Sequence, residues 1–198
     1  NLEIMLVVDT SGSMKGAPIQ AARAAATEFL SVLPPDTRVG VVAFGSPPSL
    51  IAGPTTDRAL LSSGVDQLTA AGETALYDAV AFATSQFTAD ARDRAIVLLS
   101  DGGDTASTTT LDQAAASGVR TNVIELVTGE SNSAVLGQLA AAGGGSVSSV
   151  ADPAALAGLY RGAAASLANQ YRVTYETSGQ GAVALTVRVT TPAGALEA

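Results

Sequence analysis

Short aliphatic runs alternate along this chain with stretches of helical spacing, and that alternation restricts the fold more than any other feature. Ile4-Met5-Leu6-Val7-Val8, Arg38–Phe44 and Ala95-Ile96-Val97-Leu98-Leu99 are continuous apolar stretches bounded by polar residues, the pattern of strands buried on both faces. Between the first two, residues 16–33 carry Ile19, Ala22, Ala26, Phe29, Leu30 and Leu33 at helical spacing and stop at Pro34-Pro35. Helices are expected over 57–68, 74–87, 111–117, 133–142 and 153–167. Strands are expected over 94–100, 121–127 and 146–150, with a short edge strand at 49–52 beside prolines. Strand alternating with helix over this length predicts a doubly wound, mainly parallel α/β sheet of about six strands with helices on both faces.

The tail has a different period. Residues 171–175 and 183–189 alternate polar and apolar across Ser178-Gly179-Gln180-Gly181, which predicts a half-buried β-hairpin. The chain therefore divides into an α/β domain over 1–168 and a C-terminal hairpin extension over 169–198. Its first residue is Asn1, close to a core strand, so a piece of a longer protein is expected. No apolar stretch approaches the roughly 20 residues that a membrane-spanning helix needs.

Composition narrows the chemistry. With 198 residues and 47% hydrophobic content the chain can bury a full core. It has no His and no Cys, which removes disulfides, Cys nucleophiles and every Ser-His or Cys-His catalytic pair. The net charge of −8, with ten scattered Lys and Arg, opposes a nucleic-acid partner.

What the first strand delivers is more specific. Asp9-Thr10-Ser11-Gly12-Ser13 follows it directly, at the strand end where open α/β sheets bind ligands. Asp9, Ser11 and Ser13 offer only oxygen, which suits Mg²⁺, Mn²⁺ or Ca²⁺ and no soft metal. Thr74, before a predicted helix, and Asp101, after the strand at 94–100, place further oxygens at the same sheet edge. Each has a plainer reading taken alone. Asp9 and Ser11 suit a helix cap or an Asx turn, Thr74 suits an N-cap, and Asp101-Gly102 suits an ordinary turn.

Taken together, Asp9-x-Ser11-x-Ser13, Gly72-Glu73-Thr74-Ala75-Leu76-Tyr77-Asp78-Ala79 and Leu98-Leu99-Ser100-Asp101-Gly102 resemble the von Willebrand factor type A (VWA) family, of bacterial type, over roughly residues 2–167. The resemblance implies a Rossmann-like fold and a metal-ion-dependent adhesion site. It implies that Ser11, Ser13 and Thr74 ligate Mg²⁺, with Mn²⁺ or Ca²⁺ as alternatives, and that Asp9 and Asp101 support it largely through water. One coordination position is then left for an Asp or Glu carboxylate of a protein partner. Many relatives have Gly before the Thr, whereas Glu73 stands there in this chain. Glu73 either points to solvent or competes with the partner's carboxylate, and Asp104 raises the same question. Tyr77 and Asp78 are expected to pack and to face solvent, not to ligate.

The expected function is thus metal-dependent protein binding in adhesion or assembly, not catalysis. A haloacid-dehalogenase-like phosphoryl transfer needs a second carboxylate two residues after Asp9, and Ser11 occupies that place. No GxxxxGK[ST], no GxGxxG after the first strand and no GxSxG occur. The alternatives are an intracellular VWA module of a chelatase-like or protein-assembly complex, and a structural domain with an empty site. A monomer is expected, without membrane insertion by this segment, held outside the cell or at the envelope within a larger protein. A cytoplasmic place is the alternative.

Overall fold

The structure is a computed structural model that describes residues 2–91, 93–168, 188–191 and 194–197. Its centre is a six-stranded sheet in the order β3-β2-β1-β4-β5-β6. The strands are β1 (Leu2–Asp9), β2 (Arg38–Phe44), β3 (Pro48–Thr55), β4 (Asp93–Ser100), β5 (Arg120–Leu126) and β6 (Val147–Val150). All neighbours are parallel except β3, which runs antiparallel to β2 at the sheet edge.

The aliphatic runs are continuous because each strand feeds two cores. Ile4, Leu6 and Val8 of β1 enter one cluster with Val39, Val41, Val97 and Leu99. Met5 and Val7 enter the other with Val42, Ile96 and Leu98. Helices α1 (Ala17–Val32), α2 (Arg58–Asp66) and α6 (Leu156–Ala168) cover the first face, and α3 (Leu76–Ser85), α4 (Leu111–Ala115) and α5 (Ser133–Ala142) cover the second. Helices α1 and α6 lock together where Phe29 meets Tyr160 edge-on, with ring centroids 5.6 Å apart. The return from α5 to β6 passes so close to β5 that a Cβ on Gly145 would lie 2.0 Å from the Thr121 carbonyl oxygen. Only glycine makes that approach.

The expected doubly wound architecture is present, and three details differ. The edge strand is longer than the 49–52 stretch, with Pro48 at its start and Pro54 near its end, where missing N–H groups cost least. Helix α3 begins at Leu76, two residues after Thr74. The predicted hairpin at 171–175 and 183–187 lies outside the described residues. Of its second strand, Arg188 and Val189 belong to β7 (Arg188–Thr191), which pairs antiparallel with β8 (Gly194–Glu197), a strand that the sequence pattern did not suggest.

Candidate metal centre

Because β1 and β4 are adjacent and parallel, their ends deliver Asp9 and the Ser100-Asp101 pair side by side. Asp9 and Asp101 are both fully buried. Asp9 is held at both oxygens, since Oδ1 accepts from the Ser11 N–H at 2.8 Å and Oδ2 accepts from Ser100 Oγ at 2.6 Å. After Ser11 the chain forms a 3-10 turn, Gly12–Met14, anchored by buried Met14, which returns Ser13 to the same place. Ser11 Oγ and Ser13 Oγ are 3.0 Å apart, and Ser13 Oγ donates to Asp101 Oδ1 at 2.8 Å. On the far side, Thr128 Oγ1 lies 3.5 Å from Asp101 Oδ2. Ser11, Ser13 and Asp101 are therefore one connected chain of oxygens, which Asp9 joins through the Ser11 N–H.

Thr74 joins them through backbone, not through its hydroxyl. The Ala71 N–H donates to the Thr10 carbonyl at 2.7 Å, Gly12 N–H to the Gly72 carbonyl at 2.9 Å, and Ala75 N–H to the Gly45 carbonyl at 3.1 Å. Gly45 is required in this weld, because a Cβ there would sit 2.6 Å from the Ala71 carbonyl oxygen. Thr74 is buried, and its hydroxyl makes no hydrogen bond to another described residue.

Of the plainer readings, one is realised. Asp9 forms an Asx-type contact with the Ser11 N–H, but α1 is capped at Gly16 and α3 at Ala75. Neither Ser11 nor Thr74 caps a helix with its side chain. Asp104 turns to α3 and accepts from the Leu76 and Tyr77 N–H groups at 2.8 and 3.4 Å, and Glu73 is exposed. Asp78 corrects an expectation. It is half-buried and accepts from the Thr108 and Thr109 N–H groups at 3.0 and 2.8 Å. Sequence reading missed Ser100, whose only signal is a hydroxyl residue closing an otherwise aliphatic strand.

Electrostatically the site is short of positive charge. Burial pushes the Asp9 carboxyl up to about 6, against the pull of hydrogen bonds from Ser100 and Ser11, and the Asp101 charge adds to the rise. Burial also raises Asp101, opposed by Ser13, with Glu130 adding repulsion. Among the described residues no Lys or Arg pairs with either carboxylate. Nor does any group of three His, Cys, Asp or Glu gather there. Two buried carboxylates among neutral hydroxyls fit a hard divalent cation, which supplies the charge that burial withholds.

A family model for the von Willebrand factor type A domain matches residues 4–103, half of the chain and the half that contains Asp9, Ser11, Ser13, Thr74 and Asp101. The chain belongs to the VWA family. This VWA chain is 34% identical over 113 residues to a UPF0353 protein of Mycolicibacterium paratuberculosis, an alignment covering 51% of this chain and 34% of that protein. It thus spans about a third of the length of the curated relative. Among solved structures it superposes with TM-score 0.77 on a von Willebrand factor type A protein from Catenulispora acidiphila. That pair is 27% identical over 84% of this chain and 42% of the other. The VWA fold is shared too with the vWF domain of the type V pili tip protein Mfa5 from Porphyromonas gingivalis. There the TM-score is 0.68 and identity 15%, over 87% of this chain and 98% of that one.

Proposed function

We propose that this VWA domain binds a divalent cation, Mg²⁺ first, with Mn²⁺ or Ca²⁺ as substitutes, and uses it to capture a carboxylate of a protein partner. The observation that carries the reading is the Ser11–Ser13–Asp101 chain of oxygens beside a buried Asp9 without a basic counter-charge. Ser11, Ser13 and Thr74 would offer neutral hydroxyl oxygens, and Asp9 and Asp101 would balance the charge. A bound cation supplies Lewis acidity, and a shell rich in neutral oxygens leaves it avid for one more anionic ligand. Mg²⁺ takes about six oxygens and keeps waters readily, so an Asp or Glu side chain can replace a water.

The role is binding, not catalysis. A chain without His or Cys lacks the imidazole or thiol that would activate or replace a serine nucleophile, and Ser11 stands where phosphoryl transfer needs a second carboxylate. The likeness to a pilus-tip domain supports adhesion or assembly at the cell envelope, as one part of a larger protein.

Calorimetric titration tests the metal. Wild-type protein should bind Mg²⁺, and a concentration 100-fold above Kd should stabilise it by about 2.7 kcal/mol over the chelated protein. Absence of heat and of any melting shift with Mg²⁺, Mn²⁺ and Ca²⁺ would overturn the reading. A peptide or partner carrying an Asp should then bind only with metal present, and EDTA-insensitive binding refutes carboxylate capture.

A further inference from the structure

Behind the candidate metal centre, a second set of hydrogen bonds ties the loop after β4 to the loop that carries Thr74. The Thr74 N–H donates to Thr105 Oγ1 at 3.0 Å. Its carbonyl accepts from the Thr105 and Ala106 N–H groups at 2.9 and 3.1 Å. One turn on, the Leu76 and Tyr77 N–H groups donate to Asp104 Oδ1, and the Asp78 N–H donates to Ser107 Oγ at 3.0 Å. The Asp78 carboxylate returns the contact by accepting from Thr108 and Thr109.

Helix α3 has no side-chain cap of its own, so its first N–H groups depend on a loop about thirty positions later in the chain. Thr74 is accordingly held at both its N–H and its carbonyl by the loop that starts at Asp101, while its hydroxyl stays uncommitted. On the N-terminal side its loop is tied to the loop after β1 through the Ala71 N–H and the Gly72 carbonyl, but none of those bonds is made by Thr74 itself.

We propose that Asp104 and Thr105 are positioning residues for the metal centre: they hold Thr74 against the Asp101 loop, so that its hydroxyl is in place before a cation arrives. The inference rests on the metal-binding reading above. Groups that orient a ligand without touching the metal typically change affinity by about 10–100-fold, and a pre-placed hydroxyl need not be ordered on binding.

The test is a Mg²⁺ titration of the 198-residue chain, with circular dichroism confirming that each variant is folded. Thr105→Val should weaken Mg²⁺ binding by about ten-fold or more, and Thr105→Ser, which keeps the hydroxyl, should restore it. Asp104→Ala should weaken binding in the same direction and serves if Thr105→Val does not fold. Thr88→Val is the control, because it removes a hydrogen bond to Glu3 at the opposite end of the sheet and should leave the Kd unchanged. Without metal, amide exchange at Thr74 should quicken in Thr105→Val. Folded Thr105→Val or Asp104→Ala with wild-type Kd overturns the proposal. Wild-type protein that binds no divalent cation overturns the metal reading and this proposal together, and shows before any variant is compared.

Discussion

Strand β1 carries a buried carboxylate at each end, and the two are treated in opposite ways. Glu3, near its start, accepts from the Thr88 N–H and Thr88 Oγ1 at 2.8 and 2.7 Å and faces Arg38 Nη1 at 3.6 Å. Asp9, at its end, meets Ser11 and Ser100 and a second carboxylate, with no guanidinium among the described residues. A buried charge needs a counter-charge or a metal. The N-terminal edge of the sheet answers with Arg38, whereas at the C-terminal edge no counter-charge stands among the described residues and burial pushes the Asp9 carboxyl up to about 6. The contrast separates a carboxylate with a guanidinium beside it from one that meets only hydroxyl and N–H donors and a second carboxylate.

The largest effect should come from charge removal at either end. Asp101→Ala should abolish the stabilisation by Mg²⁺, about 2.7 kcal/mol at 100-fold over Kd, in melts with Mg²⁺ and with EDTA. Glu3→Gln should lower stability by about 2 kcal/mol in both buffers, the scale of a charged hydrogen bond, and leave the Mg²⁺ increment intact. An increment that disappears in Glu3→Gln would erase the contrast between the ends.

Smaller changes sharpen it. Ser100→Ala and Thr88→Val each delete one hydroxyl donor to a buried carboxylate, and each should cost about 1 kcal/mol in chelated protein. Only Ser100→Ala should also weaken Mg²⁺ binding. Equal Mg²⁺ affinities in the two variants would show that the orientation of Asp9 is immaterial.

The smallest effect concerns pH. Burial pulls the Asp78 carboxyl up, but hydrogen bonds from Thr109 and Thr108 outweigh it and hold the group below its ordinary 3.8. A depressed carboxyl adds stability that is present above the unfolded value and lost as pH falls through the folded one. Wild type should therefore exceed Asp78→Asn by less than about 1 kcal/mol near neutrality, with the gap closing below pH 3.8. Acid titration of both proteins, followed by circular dichroism, measures it. A gap independent of pH would assign the Asp78 contacts to shape and not to charge.

Much of the fold was legible because its causes are local. Ile4-Met5-Leu6-Val7-Val8 is apolar at every position because two cores claim alternate residues, and α1 ends before Pro34-Pro35 for steric reasons. The start of α3 was misread for the complementary reason. Thr74 looks like an N-cap, but Asp104 and Ser107 supply the cap from another loop, and no local pattern announces a cap from so far along the chain. The hydrogen-bonding roles of Ser100 and Asp78 were hidden similarly, since their partners Asp9 and Thr108-Thr109 are distant in sequence. The oxygen-bearing candidates themselves were legible, because Asp9, Ser11, Ser13, Thr74 and Asp101 coincide at one sheet edge, although each alone would suit a cap or a turn.

By itself, then, the sequence determined the alternation of strand and helix, the double burial of the sheet and the chemical type of the site: oxygen donors with no imidazole or thiol. The tertiary structure alone decided that β1 lies beside β4, so that Ser13 reaches Asp101 at 2.8 Å. It decided equally that Asp9 is buried without a basic partner while Glu3 has one. Periodicity and residue type act over a few positions and can be read along the chain. Charge compensation and hydrogen-bond pairing act through space, and only the packed sheet brings their members together.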